Sequence, residues 1–126
     1  MTGQPKILVV EDEIPVAMMM VSLLTRIGFD VQVATKAHKG LEIAHEQKFD
    51  LIVLESHLAG ISNYEILEDL RQRHISYRTP IILLFDQNAD RERAFSHGAN
   101  DAIQKPFNAE DFIARVLSAV EETETA

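Results

Sequence analysis

Glu11-Asp12-Glu13 follows directly on a short apolar run, Ile7-Leu8-Val9-Val10, and Glu55 follows directly on another, Leu51-Ile52-Val53-Leu54. Lys105-Pro106 follows a weaker run, Asp101-Ala102-Ile103-Gln104. Apolar runs of this length read as buried strands. If the ends of these strands meet, Glu11, Asp12 and Glu55 come together with one lysine beside them. Clustered carboxylates repel, and some stay protonated unless a cation intervenes. Hard oxygen donors suit Mg²⁺ or Mn²⁺. Two readings stand side by side: a metal held by these acids, or a salt bridge to Lys105 without metal and with Glu13 turned to solvent.

The elements that must position these groups alternate along the chain. Val31-Gln32-Val33-Ala34 and Ile81-Ile82-Leu83-Leu84-Phe85 complete a set of five strands. Between them, apolar residues recur at helical spacing: Ala17, Met20, Val21, Leu24 and Ile27; Ala37, Leu41 and Ala44; Ile66, Leu67 and Leu70; Phe112, Ile113, Val116, Leu117 and Val120. A shorter, more polar helix is expected around Arg91 to His97. Gly28 and Gly98 are placed to end helices in a left-handed conformation. Ser62 and Glu65 have capping-box spacing, and Asn108 suits a helix N-cap. Five β-α units imply right-handed crossovers and a parallel sheet covered on both faces, an α/β doubly wound fold. Ligands in such sheets sit beyond the carboxyl ends of the strands. Those ends are where the acids and Lys105 fall.

The 126 residues suit a single domain over 1–126, with the acidic stretch 121–126 expected as a flexible tail or linker start. The absence of Cys excludes disulfides, thiolate metal sites and cysteine nucleophiles. A net charge of −8 argues against direct nucleic-acid binding, which needs basic residues to displace counterions. The longest weakly polar run, Ile14 to Leu24, is shorter than the ~20 residues that cross a bilayer. No apolar leader precedes the first strand. The expectation is a cytoplasmic domain with no membrane partner.

Ile7-Leu-Val-Val-Glu-Asp-Glu13, Asp50-Leu-Ile-Val-Leu-Glu55, Gly98-Ala99 and Lys105-Pro-Phe107, in this order and spacing, resemble the receiver domain of bacterial two-component response regulators. The resemblance runs from Lys6 to about Val120. It implies a flavodoxin-like sheet of strand order 2-1-3-4-5 flanked by five helices. It also implies that Glu11 and Asp12 help hold Mg²⁺, together with Glu55 and the backbone of His57. Lys105 would contact a phosphoryl group, and the Lys105-Pro106 bond would be cis.

Three positions depart from that pattern. The family's phosphoacceptor is an Asp at the end of the third strand, and here it is Glu55. The extra methylene carries the carboxylate roughly 1.5 Å farther, and misplacement near ~1 Å can cost about 10²-fold in a positioned reaction. The longer side chain also imitates, crudely, a permanently charged acceptor. The switch Ser or Thr at the end of the fourth strand is Phe85, and its aromatic partner in the fifth strand is Ala102. The paired exchange of volumes reads as one compensated packing change.

These residues point to a pseudo-receiver, a protein-interaction module that is not an enzyme and not switched by phosphorylation at the usual site. Its partner would be a signalling protein or an attached output domain, met through Arg91, Arg93, Phe95, Ala102 and Ile103. The alternative is a phosphorylatable receiver that accepts phosphate from a His kinase. A flavin or nucleotide carrier would need Gly, Ser or Thr after the first strand to cradle phosphate. Glu11-Asp12-Glu13 repels anions there.

Overall fold

The computed structural model describes residues 3–55, 58, 61, 63–72, 76–86 and 91–125. His57, Ala59, Gly60, Ser62 and His74 lie outside them, so the expected backbone contribution of His57 and the capping box at Ser62 do as well. The elements in chain order are β1 (Lys6–Val10), α1 (Ile14–Arg26), β2 (Asp30–Ala34), α2 (Ala37–Glu46), β3 (Leu51–Glu55), α3 (Asn63–Gln72), β4 (Ile81–Phe85), α4 (Arg91–Ser96), β5 (Asp101–Gln104) and α5 (Ala109–Thr125). The five strands are parallel in the order β2-β1-β3-β4-β5, as the resemblance implied.

The sheet divides the core into two layers. Leu8, Val10, Ile52, Leu54, Leu83 and Phe85 face α2, α3 and α4. Ile7, Val9, Leu51, Val53, Ile82 and Leu84 face α1 and α5. Alternating side chains along a strand point to opposite faces, so the stretches 7–10, 51–54 and 81–85 of β1, β3 and β4 are apolar at every position. The edge strands need less: β2 alternates exposed and half-buried residues and ends on buried Ala34.

The helix ends follow the local chemistry. Gly28 and Gly98 take φ of 103° and 112°, the left-handed region that glycine enters without strain. Asn108 Oδ1 accepts the Asp111 N–H at 2.7 Å and caps α5. Helical backbone of α5 continues through Thr125. One expectation changes. Ile27 and Leu117, expected on buried faces, are 40% and 46% exposed. Ile27 is the residue that ends α1, and Leu117 lies on the rim of α5 outside the buried Val116, Ala119 and Val120. No helix among the described residues is long and apolar enough to cross a membrane.

Candidate functional site

Three strand ends build the site. Register pairs Val10 with Leu54, Glu55 with Leu84, and Phe85 with Gln104. The residues that follow β1 and β5 therefore emerge beside the last residue of β3. Glu11 N–H donates to Ala34 O at 3.0 Å and Lys105 N–H to Phe85 O at 2.7 Å, which prolongs the ladder into the site. The Lys105-Pro106 bond is cis. Behind it the Phe107 ring stacks on Phe112 of α5, centroids 4.8 Å apart, and fixes the segment that carries Lys105.

Lys105 Nζ donates to Glu55 Oε2 and lies 3.7 Å from Glu11 Oε1 and 3.8 Å from Asp86 Oδ1. Glu55 is 2% exposed and Glu11 fully buried. Burial works against the lysine's charge, but hydrogen bonding and attraction from Glu55, then Glu11 and Asp86, outweigh it and raise its pKa. Glu11 has less support. Its Oε2 accepts the Glu13 N–H at 3.1 Å, whereas its Oε1 is buried without a hydrogen-bond partner among the described residues. Burial, and then the adjoining Glu55, push its pKa up to about 8. Without a cation, burial thus favours the protonated form of Glu11 beside the paired Glu55 and Lys105.

This shift has a testable sign. The ordinary carboxyl value of 4.5 applies to the unfolded chain and about 8 to the folded one. Between those values the folded state holds a proton that the unfolded state has lost, so stability falls as pH rises through the window. Above it the penalty is constant. In EDTA, Glu11→Gln should flatten this fall and gain about 2 kcal/mol over the native chain at pH 8.5. Urea titrations at a series of pH values measure it, and an unchanged slope would show that Glu11 is not the group responsible.

The expected residues come together only in part. Glu11, Glu55 and Lys105 meet. Asp12 is exposed and does not join, whereas Glu13, itself exposed, does: single oxygens of Glu11, Glu13 and Glu55 all lie within 4.8 Å of one another. The reason is local. Glu13 is the extended N-cap of α1 but makes no side-chain capping bond, so its carboxylate can turn back to the cluster. Asp86 was missed, although it follows β4 as Glu11 follows β1. Phe85 and Ala102 are both buried in the layer under α4, 6% and 0% exposed, which accommodates the exchange of volumes.

The surface grouping Arg91, Arg93, Phe95, Ala102 and Ile103 is corrected. Ala102 and Ile103 are buried on opposite faces of β5, as neighbours on a strand must be, and cannot meet a partner. Phe95 is 41% exposed, with the Arg91 guanidinium 5.9 Å from its ring. Arg93 turns toward α3 and lies 4.3 Å over the Tyr64 ring.

Residues 7–117 match the family model described as "Response regulator receiver domain". The uncharacterized transcriptional regulatory protein YkoG of Bacillus subtilis is 35% identical over 121 residues, 94% of this chain and 52% of that protein. The alkaline phosphatase synthesis transcriptional regulatory protein PhoP of the same organism is 32% identical, over 96% of this chain and 50% of its own. The chain thus spans about half the length of the curated relatives it matches. A putative response regulator from Chloroflexus aurantiacus superposes with a TM-score of 0.89 at 27% identity, covering 94% of this chain and 98% of that one. The receiver domain of sensor histidine kinase PA1611 from Pseudomonas aeruginosa, solved with magnesium coordinated in its active site cleft, superposes at 0.87 with 24% identity, covering 94% of this chain and 99% of that one.

Proposed function

The chain belongs to the response regulator receiver family of two-component signalling, and from that premise we propose that it acts as a pseudo-receiver, a protein-interaction module whose state does not depend on phosphorylation at the usual site. The observation that carries this reading is Glu55, a glutamate at the end of β3 already bonded to Lys105. The longer Glu55 side chain holds its carboxylate against the lysine that the resemblance assigns to a phosphoryl group. Phe85 adds support, since at the switch position it offers no hydroxyl to a phosphoryl oxygen and its ring is packed away. The output is contact with a separate signalling protein or with an output domain on the same chain.

The acid cluster fits a divalent cation. The Glu11 oxygen that accepts no hydrogen bond among the described residues and the nearby oxygens of Glu13 and Glu55 are hard donors of the kind Mg²⁺ takes. Glu11, Glu13 and Glu55 would hold it, and bound there it would neutralise their mutual repulsion. This cluster favours a second reading, in which the site accepts a phosphoryl group from a His kinase.

Acetyl phosphate with Mg²⁺, followed by intact mass, separates the two. The expected result is no gain of a phosphoryl mass. Glu55→Asp alone should label weakly, because Phe85 is unchanged, and Glu55→Asp with Phe85→Thr should label more. A stoichiometric gain by the native chain that disappears in Glu55→Gln would overturn the pseudo-receiver reading.

A further inference from the structure

The chain holds four methionines and no cysteine. Every oxidisable sulfur is therefore a thioether, and peroxide chemistry at sulfur falls on methionine alone. Three of the four stand in succession in α1, Met18-Met19-Met20. Each is turned about 100° around the helix axis from the last, and the core divides them. Met20 is fully buried in the layer beneath α1 and α5. Met18 is 50% exposed and Met19 44%. The helix carries no charged residue before Arg26, so these two thioethers lie on an apolar outer face with the exposed Ile14. Met19 also lines, with Val16, Pro106 and Phe107, a groove of about 410 Å³ to which Glu13, Asp86 and Lys105 contribute.

We propose that Met18 and Met19 form a reversible oxidation site, at which a peroxide converts the apolar outer face of α1 into a polar one. The sulfur attacks one peroxide oxygen as the O–O bond breaks, and an S–O bond forms. The other oxygen leaves as water, taking the proton of the transferred one. Sulfur gives up two electrons and the peroxide is reduced. Methionine sulfoxide reductases reverse the step with two thiols, which become a disulfide while the oxygen leaves as water. A sulfoxide is polar and accepts hydrogen bonds where a thioether is apolar. On Met19 it brings an acceptor into the groove, where Lys105 is the one cation among the described lining residues. Met20 is the internal reference: the same group on the same helix, shielded by the core. Phosphoryl chemistry at Glu55 has no part in this site.

Hydrogen peroxide added to the folded chain, in EDTA to remove trace metals, tests it. Trypsin cuts after Lys6 and Arg26, so one peptide, 7–26, carries all three α1 methionines and leaves Met1 apart. Fragment masses should place the first two oxygens on Met18 and Met19. Met20 should react about tenfold more slowly or less, because it must wait for local opening. In denaturing urea the three should react alike. The doubly oxidised chain should still unfold cooperatively and should elute earlier from a hydrophobic-interaction column. Reductases of the A and B types with a dithiol should restore mass and retention together, since each reduces one sulfoxide epimer. Met18→Leu with Met19→Leu keeps apolar volume and should abolish both the early gain of two oxygens and the change in retention. Met20→Leu should leave both in place.

Equal rates for the three methionines in the folded chain would overturn the proposal, as would Met18 and Met19 reacting only as fast as the chain unfolds. Unchanged retention, or sulfoxides that the reductases leave on the folded chain, would do the same. So would loss of cooperative unfolding after two oxygens, which would make the oxidation damage to the fold.

Discussion

Lys105→Met should lower the unfolding free energy by about 3–5 kcal/mol at pH 7.5 in EDTA. The lysine is the cation facing three acids, two of them buried: Glu55 at 2% exposure and Glu11 at 0%. Removing it leaves Glu55 charged in a dry site, and breaking such a pair costs far more than the pair contributes over an apolar substitute. The double variant Lys105→Met with Glu55→Gln should therefore recover most of the loss. A double-mutant cycle on urea transitions measures the coupling directly. Two conditions sharpen the result. Lowering the pH should narrow the gap, because the acids can then take up protons. Mg²⁺ should narrow it too, by supplying the missing positive charge. For the native pair the sign is the usual one for a lysine with a raised pKa: its contribution is whole below the ordinary lysine range near ~10.4 and is lost only as pH rises through the folded value. A loss below about 1 kcal/mol, typical of surface pairs, would mean that Lys105 is not what holds the two acids.

Arg71→Ala should cost about 3 kcal/mol by a different route. The guanidinium lies at the opposite edge of the sheet and ties the end of α3 to the starts of β4 and β5. Nε and Nη2 donate to Gly98 O at 3.0 and 2.7 Å, Nη1 to Thr79 O at 2.7 Å, and Nη2 to Asn100 Oδ1 at 2.7 Å. Asn100 Oδ1 also accepts the Ile81 N–H at 2.9 Å, so loss of the arginine loosens the first bond of β4. Burial lowers the arginine's pKa, yet the group remains charged. Lysine cannot reproduce a planar fork reaching several carbonyls at once, so Arg71→Lys should recover less than half of the loss. The urea midpoint should fall with an unchanged slope. Full rescue by lysine would show that only the charge matters.

The fold was legible because its signals are local and redundant. Ile81-Ile82-Leu83-Leu84-Phe85 is apolar at every position, and only a strand buried on both faces needs that. Gly28 and Gly98 marked helix ends by backbone chemistry alone. Strand order was not legible from pattern and came from the resemblance. At the site, Glu11, Glu55 and Lys105 could be read because each directly follows a strand, which fixes its place at the carboxyl edge. Glu13 and Asp12 could not be told apart, since the turn between β1 and α1 decides which carboxylate faces inward. Ala102 and Ile103 were assigned to one surface although successive strand residues point apart. Arg71 gave no signal at all. A half-buried arginine in an amphipathic helix looks like any other until the carbonyls it gathers, from residues up to twenty-nine positions away, are brought to it by the fold.

The sheet is also a partition. Phe85 and Ala102 lie in the layer beneath α2, α3 and α4, whereas Val16, Met20, Phe107 and Phe112 lie across it, beneath α1 and α5. Side chains on the two faces of β4 share a backbone but no packing. Substitutions that remake the switch position should therefore combine nearly additively with substitutions that remake the α1 surface. For protein engineering the domain is two half-modules. Each can be diversified in its own library, and winners from one can be joined to winners from the other without a second round of core repair.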